Sequence, residues 1–281
     1  MRSEEQVLSH FNEWAITNDA VRAAIMTSSR VSKDATIDFL SDYDIELYVS
    51  DLNLFRQSDE WLDVFGPVMV RWPHKPGSTF SDDWVTRLIL FKDGVRIDFQ
   101  ITDLKHLVSD NYTNGYTVLI DKDGMTEELS EPTYSEYIIK KPSKEEYDAL
   151  VHEFWWDAYY IPKYLWRDEL PFAKYMLDYT LRYEFVHKIV DWYIGSENNW
   201  SVETGALGRK YKMLLSKEIW DEFEKTYVGG GIEENWDALY RTTDFFRKMS
   251  KIVGSKLGYT YPEQVDQEVM AFCKKIKETR Y

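Results

Sequence analysis

The sequence is poor in cysteine and in positive charge, and it lacks any long apolar run. Its single cysteine, Cys273, cannot form an internal disulfide, which fits a reducing cytoplasm. There are 34 basic and 49 acidic side chains, and the resulting formal charge of −15 argues against broad nucleic-acid binding. No apolar run could cross a bilayer, and the charged start "MRSEEQVLSHFNEW" resembles neither a signal peptide nor a transit sequence. We therefore expect a cytoplasmic protein with no nucleic-acid or membrane partner.

The sequence pattern changes near Lys140. Before that residue, short runs rich in β-branched and aromatic side chains alternate with polar turns, which is typical of strands. After it, segments with helical periodicity continue almost to the end of the chain. The predicted strands are "VRAAIMT", "YDIELYV", "VMVRW", "VTRLILF", "RIDFQI" and "YTVLI". The pattern predicts an α+β protein, with an α/β domain at 1–140 and a helical domain at 141–281.

Two capping boxes mark the start of predicted helices. Ser3 and Gln6 have the required spacing and open the helical segment that precedes the strands. Ser143 and Glu146 repeat the spacing where the helical half begins. The pattern therefore predicts one helix before the strands and another at the domain boundary.

Two aspartates, Asp42 and Asp44, stand at the start of the predicted strand in "LSDYDIELYV". Side chains two residues apart in a strand point to the same side, so both aspartates share a face with Glu46. The apolar residues between them, such as Ile45, face the other way. Carboxylates so close repel one another unless a positive charge lies between them. An isolated pair of this kind is usually a solvated strand start or turn, so a cation site requires further carboxylates on the same face.

A third carboxylate occurs later, in the predicted strand "VRIDFQI". Alternation puts Asp98 on one face of this strand together with Arg96 and Gln100. If the two strands are neighbours, Asp98 joins Asp42 and Asp44 in one cluster. A ligand set made only of oxygen atoms favours Mg²⁺, whereas the five scattered histidines lack the spacing of zinc ligands. The sequence therefore predicts a magnesium site on these three aspartates.

The order of these features resembles the nucleotidyltransferase superfamily, in which a turn of a small residue, serine and arginine precedes Asp-x-Asp and a later lone aspartate. The turn here is Ser28, Ser29 and Arg30. Over nearly its whole length the chain also resembles the aminoglycoside 6-adenylyltransferases, the streptomycin-modifying enzymes of bacteria. The matching segments are "FLSDYDIELYV", "DLNLFRQSDEWLDVFG", "LILFKDGVRIDFQI", "VLIDKDG", "HEFWWDAYYIPKYLWRDEL", "GRKYK" and "LYRTTDFFRKMSKIVGSKLGYTYP". The resemblance implies a nucleotidyltransferase catalytic domain with a mixed sheet, followed by a helical substrate-binding domain.

The resemblance also implies roles for the residues of the first domain. ATP would place its phosphates against the Ser28–Arg30 turn, and Mg²⁺ would link them to Asp42 and Asp44. A hydroxyl is a poor nucleophile at neutral pH, so a carboxylate must take its proton. The resemblance assigns this step to Asp98, which would act both as the base and as a metal ligand. Glu46, on the same face, is the alternative base.

The helical half would supply further contacts. Lys210 and Lys212 in "GRKYK" would contact the β- and γ-phosphates, and the alternative is that both are solvated lysines beside a helix start. Carboxylates suit the guanidinium and ammonium groups of an aminoglycoside. The residues expected to bind the acceptor are Glu153, Asp157 and Asp178.

One position departs from the family pattern. The family turn usually reads Gly-Ser-Arg, whereas this chain has serine at position 28. Glycine in such a turn lets the backbone approach phosphates and adopt dihedral angles that other residues avoid. Because the three aspartates are intact, we expect Ser28 to be compatible with an active enzyme.

The predicted function is adenylylation of an aminoglycoside, with ATP and Mg²⁺ required and pyrophosphate released. The 6-hydroxyl of streptomycin is the expected acceptor, and the protein is expected to act as a monomer. The negative charge suits a cationic substrate, although acidic surfaces also promote solubility. Two alternatives stay open: the same chemistry on another hydroxylated small molecule, and a non-catalytic relative that binds a nucleotide or a cation.

Overall fold

The chain divides into two compact units, a first unit at 1–136 and a second unit at 137–281. The residues that the computed structural model describes are 2–33, 35–75, 78 and 81–279. Among these, all strands lie in the first unit, and the second unit is helical. The α+β class predicted from the sequence is confirmed. The boundary between the units lies a few residues before Lys140, where the sequence pattern changes.

A six-stranded mixed sheet is the framework of the first unit. Its strands are β1 (Val21–Thr27), β2 (Tyr43–Val49), β3 (Val68–Trp72), β4 (Trp84–Phe91), β5 (Arg96–Asp103) and β6 (Thr117–Asp121). They follow the order β3-β4-β5-β2-β1-β6, and every pair is antiparallel except β2 and β5, which run parallel. Each predicted strand is present, with small differences at its ends.

The two faces of the sheet have different roles. β2 directs Tyr43, Ile45 and Leu47 into the main core of the first unit, which also contains Phe11 from the first helix and Phe99 from β5. Asp44 and Glu46 on β2 and Asp98 on β5 alternate with these residues and therefore point to the opposite face. The helical segments of this unit are α1 (Glu4–Thr17), α2 (Leu52–Gln57) and the 3₁₀ turns Ser28–Val31, Glu60–Phe65, Leu104–His106 and Ser109–Tyr112.

A buried ion pair fixes the segment "DEWLDVFG" against the sheet. Arg87 on β4 is fully buried, and its Nε donates to Asp59 Oδ1 at 2.6 Å. Arg71 on β3 donates to the other oxygen of the same carboxylate at 3.2 Å. A buried guanidinium is tolerated because it is paired and hydrogen-bonded, and losing one partner would leave an uncompensated charge.

The second unit contains most of the helices. They are α3 (Lys144–Ala158), α4 (Tyr160–Trp166), α5 (Leu170–Lys174), a π-helical segment (Tyr175–Val186), α6 (His187–Glu197), α7 (Tyr211–Leu214), α8 (Lys217–Glu224), α9 (Ile232–Leu257) and α10 (Glu263–Glu278). The core includes Phe154 on α3, which stacks on Phe246 of α9 with ring centroids 3.6 Å apart. Among the described residues, no helix combines the length and apolar character that crossing a membrane requires.

Both predicted capping boxes are confirmed. The Ser3 hydroxyl accepts from the Gln6 backbone N–H at 3.3 Å, and the Gln6 side chain accepts from the Ser3 backbone N–H at 2.9 Å. Ser143 and Glu146 make the same reciprocal bonds at 3.2 and 2.7 Å. Each pair satisfies two backbone donors that a helix N-terminus would otherwise leave free.

Candidate active site

Parallel pairing of β2 and β5 brings the three aspartates together. Asp44 stands directly opposite Asp98 in the register of the two strands, and Asp42 immediately precedes β2. One oxygen of each carboxylate lies within 4.8 Å of the others. The structure thus assembles the cluster that strand alternation predicted, on the face opposite the main core.

The cluster carries an excess of negative charge. Burial, together with the charges of Asp42 and Asp98, raises the pKa of Asp44 to about 6. A hydrogen bond from the Ser28 hydroxyl and the nearby guanidinium of Arg96 oppose this rise only in part. A carboxylate with a raised pKa in such a cluster is one that a cation would stabilise in its ionised form.

Arg96 lies on the same face as the cluster, as strand alternation predicted, but the sequence pattern indicated no function for it. Its Nε donates to Asp98 Oδ1 at 2.9 Å, and its Nη2 donates to Asp98 Oδ2 at 2.5 Å. Its Nη1 lies 3.7 Å from Asp42 Oδ2. The side chain is two residues from Asp98 on the same strand, so the alternation that identified the cluster could also have identified this partner.

The turn that follows β1 is strained at the position where the family resemblance predicts glycine. Ser28 has a φ of +64°, in the left-handed region that favours glycine. Its hydroxyl nevertheless makes a contact of its own, the hydrogen bond to Asp44. The neighbouring Ser29 Oγ is buried and has no hydrogen-bond partner. A buried hydroxyl without a partner can donate to a ligand oxygen, which fits a phosphate.

The Arg30 side chain binds the backbone that immediately precedes β2. Its side chain is only 4% exposed, and its Nε and Nη2 donate to the backbone carbonyls of Asp42 and Ser41 at 2.9 and 2.7 Å. The guanidinium also pairs with Glu4 at 3.1 Å and lies 3.7 Å from the centre of the Tyr43 ring. Arg30 therefore fixes the backbone that presents Asp42.

Glu46, the alternative base, is held by two tyrosines. Both hydroxyls donate to its Oε2, Tyr48 at 2.9 Å and Tyr112 at 2.7 Å. Both tyrosine side chains are buried. Tyr112 comes from a 3₁₀ turn far along the chain, and no local pattern linked it to Glu46. The arrangement fixes the orientation of the Glu46 carboxylate beside the aspartate cluster.

In the second unit, "GRKYK" has a clear local role in the fold. A Cβ atom on Gly208 would lie 2.3 Å from the Tyr211 ring, so glycine is required there. Tyr211 is buried and donates to Asp191 at 2.8 Å. Lys210 pairs with Glu203, whereas Lys212 is exposed, 5.5 Å from the centre of the Trp220 ring. The phosphate contacts expected of the two lysines stay a prediction.

Asp178 lies on the π-helical segment between two cations. It pairs with Lys174 at 2.6 Å and with Arg182 at 3.0 Å. Arg182 is itself buried and donates to the Thr226 backbone carbonyl at 3.0 Å. Asp178 is thus already neutralised in part, and its contact with a substrate stays a prediction.

Glu153 and Asp157 meet a third carboxylate that the sequence did not single out. Burial and the charges of Glu184 and Glu153 raise the pKa of Asp157. Glu184 comes from the π-helical segment, and a helical period cannot show which residue of another helix will face α3. These three carboxylates repel one another, and a cationic ligand would relieve that repulsion.

A row of tyrosines runs along the π-helical segment. Tyr175, Tyr179 and Tyr183 are about half exposed, and successive ring centroids are 5.4 and 6.4 Å apart. Their spacing of four residues was visible in "YMLDYTLRY" and could have predicted this row. π-helical turns are rare and often occur at functional sites. Aromatic faces suit cationic groups, so the row could contribute to binding a cationic acceptor.

A mixed sheet that places an Asp-x-Asp pair beside a third aspartate is the arrangement of a nucleotidyltransferase. The family description "Streptomycin adenylyltransferase" matches residues 1–276, and the chain belongs to this family. An aminoglycoside 6-adenylyltransferase of Bacillus subtilis (strain 168) is 30% identical over 269 residues, covering 94% of each chain. One from Campylobacter jejuni is 28% identical over 282 residues, covering 98% of this chain and 97% of the relative.

Among solved structures, the crystal structure of an aminoglycoside 6-adenyltransferase from Bacillus subtilis has 27% sequence identity and a TM-score of 0.47, covering 99% of each chain. The family match and the two curated relatives confirm the resemblance seen in the sequence. The protein is accordingly an enzyme of the nucleotidyltransferase class.

Proposed function

We propose that this enzyme transfers AMP from ATP to the 6-hydroxyl of streptomycin and releases pyrophosphate. The observation that carries the proposal is the cluster formed by Asp44 and Asp98, on the neighbouring parallel strands β2 and β5, with Asp42, which immediately precedes β2. The family supports the reaction, and the names of the curated relatives support an aminoglycoside acceptor.

The aspartate cluster fits a magnesium ion. Its ligand atoms are all carboxylate oxygens, the donors that hard divalent cations prefer. Burial first, and then the charges of Asp42 and Asp98, raise the pKa of Asp44, and a bound cation would offset both effects. We infer that Asp42, Asp44 and Asp98 would hold the ion. When bound, magnesium would polarise the α-phosphorus and offset the charge of the triphosphate.

Asp98 is the proposed general base. Its side chain is buried apart from a small exposed fraction. The carboxylate, which is the proton acceptor, is therefore held in a fixed position. Its carboxylate would take the proton of the attacking hydroxyl as the new phosphorus–oxygen bond forms and pyrophosphate leaves. Arg96 now donates one hydrogen bond to each of its oxygens, and withdrawal of Arg96 would free those two lone pairs for a proton.

Other residues would bind the phosphates. Ser29 has a buried hydroxyl without a partner, and it would donate to a phosphate oxygen. Arg30 would act indirectly, because its side chain is already bonded to the backbone that precedes β2. Lys210 and Lys212 would provide positive charge for the β- and γ-phosphates, as the family pattern implies.

The acceptor would be bound by carboxylates of the second unit. Glu153, Asp157 and Glu184 form a group whose mutual repulsion a cationic antibiotic would relieve. Asp178 would contribute through its exposed part, since Lys174 already pairs with it. Carboxylates give guanidinium groups both charge and a defined orientation, which suits the guanidino groups of streptomycin.

The test is pyrophosphate release from ATP and Mg²⁺ with streptomycin present or absent. Streptomycin-dependent release by the wild type, abolished in Asp98→Asn, supports the proposal. Asp123→Asn is the matched control, because this exposed carboxylate pairs with Arg22 and has no proposed role. Pyrophosphate release only with another hydroxylated acceptor would show that streptomycin is not the substrate. ATP binding without turnover on any acceptor would show that the protein does not catalyse the transfer.

A further inference from the structure

Arg96 supplies positive charge to the aspartate cluster. Its guanidinium makes two hydrogen bonds to Asp98, at 2.9 and 2.5 Å, and lies 3.7 Å from Asp42. The bonds to Asp98 and the charges of Asp42 and Asp44 raise the pKa of Arg96. One guanidinium thus offsets part of the repulsion among three carboxylates.

The same contacts compete with a metal ion. A two-pronged bond from arginine to a carboxylate occupies one lone pair on each oxygen and places a full positive charge beside them. A divalent cation bound to Asp98 would meet that charge at close range, which is unfavourable. Arg96 and a metal therefore compete for Asp98 in this geometry.

Arg96 is free to leave. Its side chain is 47% exposed, whereas that of Asp98 is 10% exposed. Arg96 is the first residue of β5 and follows the turn at Gly94, so its long side chain can rotate towards solvent without disturbing the core. Asp98, in contrast, is fixed by the pairing of β5 with β2.

We propose that Arg96 is a built-in counter-ion that occupies the aspartate cluster until a divalent cation displaces it. This inference rests on the proposed function, because it requires a metal at Asp42, Asp44 and Asp98. Without metal, Arg96 holds the carboxylates together. When Arg96 withdraws, an oxygen of Asp98 becomes free to accept a proton, which couples the availability of the base to occupation of the site.

The test is a titration with Mn²⁺ followed by electron paramagnetic resonance, without any substrate. Arg96→Met removes the competitor and should tighten Mn²⁺ binding on the order of tenfold, the value of one charge-assisted hydrogen bond. Arg96→Lys keeps the charge without the two-pronged geometry and should bind with intermediate affinity. Arg22→Met is the matched control, because Arg22 makes a similar two-pronged bond to Asp123, and it should bind as the wild type does.

Thermal unfolding provides a second measurement. In EDTA, Arg96→Met should unfold at a lower temperature than the wild type, and saturating Mg²⁺ should remove most of this difference. A merely structural arginine would weaken both folding and metal binding. Equal or weaker Mn²⁺ binding by folded Arg96→Met, with the wild type binding normally, overturns this inference and leaves the proposed function standing. Absence of Mn²⁺ binding by a wild type that still releases pyrophosphate with streptomycin also overturns only this inference, whereas absence of both binding and release overturns the proposed function as well.

Discussion

Replacing Asp44 by asparagine should stabilise the metal-free protein at neutral pH while abolishing nucleotidyl transfer. Burial and the charge of Asp42, followed by that of Asp98, raise the pKa of Asp44 from its usual 3.8 to about 6. At neutral pH the folded chain therefore holds an ionised carboxylate that the unfolded chain would hold at lower free energy. Asparagine keeps the size of the side chain and removes the charge.

The size of the effect follows from the same pKa. The rise from 3.8 to about 6 corresponds to about 3 kcal/mol, at about 1.36 kcal/mol per pKa unit. Asp44 is only partly buried, so solvent screening reduces the expected gain to about 1–2 kcal/mol. In a chain of this length, such a gain raises the unfolding midpoint by a few degrees.

The pH dependence of the stability gain of Asp44→Asn independently tests whether the ionised carboxylate destabilises the fold. Because the folded-state pKa of Asp44 is raised, the ionised group destabilises the fold above about pH 6, and this cost disappears as the pH falls towards about 4. The gain of Asp44→Asn should therefore be complete at about pH 7.5 and close to zero at about pH 4.

The assay is thermal unfolding in EDTA at these two pH values, with Asp123→Asn as the control. The hydrogen bond from Arg22 lowers the pKa of Asp123, so its replacement should give no gain at either pH. Saturating Mg²⁺ should reverse the order of wild type and Asp44→Asn, because a ligand that binds only the folded state stabilises it. A gain that is absent at neutral pH or equal at both pH values would contradict this account of Asp44, and so would full transfer activity of Asp44→Asn.

Three further outcomes are expected. Ser28→Gly relieves the strain of a positive φ, which costs about 1 kcal/mol, so it should raise the unfolding midpoint. It should also keep the affinity for ATP within a few-fold of the wild type. A large loss of affinity would mean that the Ser28 hydroxyl contributes more to ATP binding than the strained backbone costs. Asp98→Asn should lower kcat at least ~10²-fold with little change in the acceptor KM, and an unchanged kcat would point to Glu46 as the base. Arg87→Met leaves Asp59 buried without its main partner and should cost about 3–5 kcal/mol in urea unfolding; a loss below about 1 kcal/mol would contradict that account.

Local patterns in the sequence correctly predicted β2 and β5 and the two capped helices. Alternation in β2 and β5 indicated which side of each strand the aspartates occupy, because neighbouring side chains in a strand must point to opposite faces. Capping at Ser3 and Ser143 was equally predictable, since a helix N-terminus has free donors that a nearby side chain can satisfy. These features depend on the residues within one or two turns of the chain.

Local patterns also indicated candidates whose surroundings they could not describe. The sequence showed that Asp178 carries a charge on a helical segment, and the structure shows that Lys174 and Arg182 already pair with it. The sequence showed a serine at position 28, and the structure shows its positive φ. A charge pattern predicts where a group lies on its own helix or strand. Which ion-pair and hydrogen-bond partners the group has depends on every element packed against it.

Patterns along the chain were enough to predict the strands, the caps, the order of the three aspartates and, through the family resemblance, the class of enzyme. They could not predict that β2 lies beside β5, that Tyr112 reaches Glu46 or that Arg87 pairs with Asp59. The two sets of features depend on interactions of different range. Side-chain periodicity is set by the local backbone, but strand neighbours and buried ion pairs are selected by the free energy of packing the whole domain.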